Sequence, residues 1–126
     1  MLRDSDAFAS FSVDDLEAAR RFYGEVLGLD VDLMEMGLLR VRHGGGTVMV
    51  YPKDDHAPAV FTVLNFPVDD IDAAVDGLRA RGVEMLRYDH IPGADDRGIH
   101  RGQGPEIAWF ADPAGNVLSV LRIPKE

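Results

Sequence analysis

The chain has 126 residues, 46% of them hydrophobic and none a cysteine, with 13 Lys and Arg against 22 Asp and Glu for a net charge of −9. Such a length suits one domain with its own core, the acidic balance without a basic cluster argues against a nucleic-acid partner, and the lack of thiols excludes disulfides, thiolate metal sites and a cysteine nucleophile. No stretch approaches the roughly 20 apolar residues of a membrane span, and Met1 to Asp6 is charged with no apolar run behind it, so the expected location is cytoplasmic.

In chain order, Ala7 to Val13 is predicted as a strand with Phe8, Ser10 and Ser12 on one face. Asp14, three residues before Glu17, has the spacing of a helix cap. Leu16, Ala19, Phe22, Tyr23 and Val26 then form an apolar stripe that Gly28 ends. Leu29 to Met36, Leu38 to His43 and Thr47 to Pro52 follow as a meander punctuated by Gly37 and Gly44-Gly45-Gly46.

The opening pattern then returns 55 positions later, with Val68-Asp69-Asp70-Ile71-Asp72-Ala73-Ala74 matching Val13-Asp14-Asp15-Leu16-Glu17-Ala18-Ala19. A repeat of this kind implies two copies of one supersecondary unit, expected at about 7–53 and 59–124 of a single domain, with a small-molecule cleft shared between them. The second copy opens with a strand at Val60 to Phe66. Its helix runs from about Asp70 to Arg81, with Asp69 and Asp72 at the capping positions and Gly82 at the end. Val83 to Tyr88 is predicted as a strand, and Asp89 to Pro105 as a glycine-rich loop long enough to gate a site. Glu106 to Ala111 and Val117 to Ile123 close the chain as a hairpin, with Pro113 and Gly115-Asn116 supplying the turn.

Two segments carry a family resemblance. Val13-Asp14-Asp15-Leu16-Glu17-Ala18-Ala19-Arg20-Arg21-Phe22-Tyr23 with Val26-Leu27-Gly28-Leu29 resembles the first helix of the vicinal oxygen chelate superfamily. Trp109-Phe110-Ala111-Asp112-Pro113-Ala114-Gly115-Asn116-Val117-Leu118 is similar to that superfamily's closing hairpin. The resemblance implies an α+β fold of paired βαβββ modules whose curved sheets form a cleft, the fold of glyoxalase, bleomycin resistance proteins and dihydroxybiphenyl dioxygenase, completed in a homodimer. It also implies a divalent metal held by His, Glu or Gln. Counted from the motifs, however, the four ligand positions fall at Phe8, near Val50, at Val63 and at Ser119, and three hydrocarbons with one hydroxyl offer a metal ion almost no affinity. The expectation is therefore no metal and no cofactor.

Strand alternation assembles the expected lining from Phe8, Ser10, Val50, Phe61, Val63, Asn65 and Ser119, mostly apolar with a few polar anchors. Trp109, the only tryptophan, is open to two roles, a core anchor or a surface for stacking a flat ligand. Among the histidines, His43 and His56 are expected as solvated surface residues and His90 as part of a hydrophilic loop, while His100 is a candidate ligand contact. The leading reading is a binding protein for a small, partly apolar drug or metabolite. Its rivals are a metal-dependent lyase, isomerase or dioxygenase, and a metal-free acid–base enzyme using His100 with Asp96 or Glu106.

Overall fold

The computed structural model describes residues 1–102 and 104–124; Gln103 of the long loop and the last two residues lie outside the described residues. The chain divides into two units, Met1–Ala57 and Pro58–Glu126.

In the first unit β1 (Ala9–Val13) leads into α1 (Leu16–Arg21), which continues as a π-helical turn over Phe22–Val26. The cap is Asp15, one residue later than the sequence spacing predicts. Its extended backbone (φ −133°) lets the carboxylate accept from the Ala18 amide, and Glu17 pairs instead with Arg20. Gly24 is required by proximity, since a Cβ there would lie 2.8 Å from the Val31 side chain. Strands β2 (Asp30–Leu33), β3 (Leu39–His43) and β4 (Gly46–Pro52) then build a sheet in the order β1-β4-β3-β2, with β1 parallel to β4.

The register assigns faces. Phe11 pairs with Val50 and Val50 with Leu39, all three buried in the core with Val13, Ala19 and Tyr23. Ser10 pairs with Met49, Met49 with Arg40 and Arg40 with Asp32, forming a row on the opposite face. Val50, expected beside Phe8 and Ser10, is thus a core residue, and Met49 holds the place assigned to it. The two strands pair in parallel with Ser10 level with Met49, so counting along β4 from its glycine turn misplaces the face by one residue.

In the second unit β5 (Thr62–Pro67) precedes α2 (Ile71–Ala80), capped by Asp70 rather than Asp69 and ended by Gly82 at φ +85°. Strands β6 (Glu106–Ala111) and β7 (Val117–Arg122) complete a sheet ordered β5-β7-β6. Ile71 and Val75 of the helix are buried with Ala108, Phe110, Leu118 and Val120, the inward face of that sheet.

The strand expected at Val83 to Tyr88 is reduced to a single bridge between Met85 and Phe110. Pairing along β6 resumes only at His100, opposite Ile107, because the chain leaves the sheet edge in between and folds back on itself. Gly93 permits that return, since a Cβ there would sit 2.5 Å from the Arg101 carbonyl oxygen. The closing turn also differs in detail: Gly115 alone takes positive φ, whereas Asn116 donates its side-chain amide to Asp112. No helix among the described residues is long and apolar enough to cross a membrane.

Candidate functional site

A β-bulge between Thr62 and Leu64 sets the outward face of the second unit's sheet. It shifts the alternation so that Thr62 and Asn65, three residues apart, pair with Val117 and Ser119 on the face that carries Trp109. Across β7 the Trp109 indole Nε1–H donates to Thr62 Oγ1 at 3.1 Å. Since β7 lies between β5 and β6, this bond spans two strand spacings, roughly 10 Å, and the indole must lie over the sheet to make it. Tyr88 meets the indole edge to face at 5.2 Å, and His100 meets it at 5.1 Å and 69°. His90 stands 6.0 Å from Tyr88.

Thr62, Tyr88, His90 and Trp109 line a cavity of about 290 Å³ together with Val60, Phe61, Ile91 and Val117. Its chemistry is aromatic, with hydroxyl and imidazole groups to orient a guest. Phe61 lies just before β5 and is 67% exposed, and Val63 is half-buried. Asn65 is exposed, and its side-chain oxygen accepts from the buried Ser119 hydroxyl at 2.5 Å. Thr62 and Tyr88 were not singled out by the sequence. The bulge hides the first, and the second falls where the edge strand breaks up.

The long loop is fastened to α2 by charge. Arg97 donates to Asp76 at 2.8 Å and to Asp72, while Arg101 donates to Asp72 at 2.8 Å and to Glu106. The hydrogen bond from Arg97, then that from Arg101, holds the Asp72 carboxyl below the usual aspartate range. Asp95 accepts from the Arg97 and Ile99 amides and closes the loop's inner turn. His100 itself is 2% exposed, and neither ring nitrogen has a hydrogen-bond partner among the described residues. Glu106 is engaged by Arg101 and lies 3.8 Å from Arg122, so no His100–Glu106 or His100–Asp96 acid–base pair is formed.

In the first unit Phe8 is 63% exposed and borders a second cavity of about 460 Å³ with Asp6, Arg40, Thr47 and Met49; Ser10 is exposed in the adjoining row. Arg40 is committed to Asp32 by two hydrogen bonds at 3.1 and 2.9 Å, which raise its pKa and lower that of Asp32. Two histidines expected to be solvated have partners: Nδ1 of His56 lies 2.6 Å from the Ser12 hydroxyl, and Nδ1 of His43 accepts from the Gly45 amide at 3.1 Å.

The positions at which the resemblance would hold a metal offer a phenyl ring at Phe8, an isopropyl group at Val63 and a hydroxyl committed to Asn65 at Ser119. On β4 the choice lies between buried Val50 and the Met49 thioether, a poor ligand for a hard divalent ion. The donor set does not fit the group. Among the described residues no three His, Asp or Glu side chains are grouped to hold a metal ion.

The model of the Glyoxalase/Bleomycin resistance protein/Dioxygenase superfamily matches residues 7–120. Among solved structures the chain is similar to an antibiotic binding protein, TnmS3, from Streptomyces sp. CB03234, at 25% identity and TM-score 0.68, covering 96% of this chain and 98% of that one. A glyoxalase/bleomycin resistance protein from the same organism is 27% identical, with TM-score 0.65 and coverage of 94% and 100%. A glyoxalase family protein from Bacillus anthracis, 20% identical with TM-score 0.71 and coverage of 98% and 100%, shares the fold. No curated protein matches the sequence.

Proposed function

Since the chain belongs to the Glyoxalase/Bleomycin resistance protein/Dioxygenase superfamily, we propose that it binds a small, flat, partly apolar molecule without a metal ion and sequesters it rather than transforming it. The observation that carries this reading is the Trp109 indole, laid across β7, pinned to Thr62 and exposed to a cavity of about 290 Å³. An aromatic plate fixed in this way presents apolar area at no further entropic cost, which favours stacking of a planar guest. Phe61 and Tyr88 add aromatic walls, and Thr62 and His90 add polar edges.

Three further observations support it. The similarity to an antibiotic binding protein places the chain beside a relative whose described role is binding. The side chains at Phe8, Val63 and Ser119 argue against the metal chemistry found elsewhere in the superfamily. Glu106, the carboxylate nearest in sequence to His100 on β6, is taken up by Arg101. A homodimer is part of the reading: β1 and β5 are each outermost in their sheets, and exposed Phe8, Val60 and Phe61 beside them need covering.

Native mass spectrometry of the untreated protein tests these statements together. The expected spectrum is a metal-free dimer, with retained organic mass where the ligand survives purification. One divalent ion per chain would overturn the metal-free reading and turn attention to metal-assisted catalysis.

A further inference from the structure

His100 is the single buried polar side chain whose nitrogen atoms find no partner among the described residues. Its backbone N–H donates to the Ile107 carbonyl at 2.8 Å and its carbonyl accepts from the Ile107 amide at 3.1 Å. Ala94 bridges to it from the other side, Asp95 closes the turn before it, and Arg101 after it is tied to Asp72 and Glu106. Antiparallel pairing with Ile107 sends the His100 side chain to the face shared by Ile107 and Trp109.

A buried imidazole with both nitrogens unpaired destabilises the fold, and phenylalanine or leucine would pack against the indole without that penalty. The loop nevertheless holds an imidazole there, beside the same indole that walls the cavity. We infer that His100 is the polar contact of the bound molecule and that it sets the ligand class, an aromatic plate carrying a hydroxyl or carbonyl oxygen at its edge. This rests on the aromatic-plate reading of Trp109 given above. A neutral imidazole has one donor and one acceptor, so a phenolic hydroxyl pairs with either nitrogen and a ring carbonyl with the N–H. His100 packs against the indole without lining the cavity, so the assignment requires the His100 ring to turn towards the cavity while Trp109 stays bonded to Thr62, and pairing with ligand oxygen favours that turned state.

The test compares naphthalene with 2-naphthol, equal plates of which only the second carries oxygen. Trp109 is the sole tryptophan, so its indole N–H resonance reports occupancy of the site for either probe. In the unaltered protein 2-naphthol is expected to bind about tenfold more tightly than naphthalene and to shift the ¹⁵N resonances of the His100 ring. In His100→Phe the preference falls to about twofold or less, and His100→Gln, which keeps a donor and an acceptor, restores part of it. Equal affinities in the unaltered protein, or a preference that survives in His100→Phe, would overturn the assignment. Should the variants not fold, ring resonances that stay in place while 2-naphthol shifts the indole would overturn it as well, leaving an ordered water as the partner. If naphthalene and 2-naphthol both leave the indole resonance unmoved, the aromatic-plate reading falls and this one with it.

Discussion

Trp109 and Thr62 are joined by a hydrogen bond that passes over a strand to which neither belongs. The bulge that turns Thr62 to the indole's face also breaks the simple alternation of β5. One irregularity therefore supplies both the acceptor and the orientation of the indole, as bulges commonly re-aim a side chain.

Thr62→Val keeps the shape of the side chain and removes the acceptor. The indole N–H is then left without its partner, at an expected cost of about 1–2 kcal/mol in urea denaturation. Released at its far end, the indole also gains mobility, so steady-state fluorescence anisotropy of Trp109 should fall and affinity for naphthalene should weaken. Unchanged anisotropy would mean that packing against Tyr88 and His100, at 5.2 and 5.1 Å, is sufficient to hold the plate.

Asp112 organises the turn into β7 with both carboxylate oxygens. Oδ1 accepts from the Ala114 and Asn116 amides at 3.0 and 2.8 Å, and Oδ2 accepts from the Asn116 side chain at 3.1 Å. Asp112 and Asn116 are buried, so water cannot replace these bonds freely. Asp112→Ala should cost about 2–3 kcal/mol, while Asp112→Asn, which keeps an oxygen for the two amides, should cost less. Chemical denaturation of the pair checks the order.

The loop that positions His100 should respond to acid through Asp72. The carboxyl is held below its usual range chiefly by the Arg97 hydrogen bond. Its folded pKa is thus lower than its unfolded pKa, so its contribution is complete above the ordinary value of 3.8 and is lost as pH falls through the folded value. Hydrogen exchange at the Ile99 and His100 amides should lose protection in that acid window. Asp72→Asn should produce the same loss at neutral pH. Added salt should weaken the protection in the unaltered protein, because these side chains are partly exposed.

The repeat, both helices with their glycine stops, the meander and the closing hairpin were legible because each is written in local chemistry: acidic caps, apolar periodicity, turn residues. What was not legible depends on partners distant in sequence. Asp15 and Asp70 cap their helices with one residue between Asp15 and the end of β1 and two between Asp70 and the end of β5, and two adjacent aspartates leave that choice open. The edge of the second sheet is shared between Met85 and His100, separated by a loop whose fastening to Asp72 and Asp76 no periodicity encodes. Of the residues that line the candidate cavity, Trp109 and Phe61 stand out in the sequence as residue types, whereas Thr62 needed the bulge and Tyr88 the broken strand; His100 packs on Trp109 without lining it.

The face of β4 gives the sharpest contrast between counting and register. Val48, Val50 and Tyr51 are similarly β-prone, so the sequence of this strand does not declare which parity is buried. The parallel ladder does, by setting Val50 against Phe11 and Leu39, all at 8% exposure or less, and Met49 against Ser10 and Arg40. Val50→Ala should therefore open a void in the first unit's core and cost about 2 kcal/mol. Met49→Ala, beside the cavity that Phe8 borders, should cost under ~1 kcal/mol. The reverse order in denaturation midpoints would move β4 by one residue and return Val50 to the face where counting from the glycine turn places it.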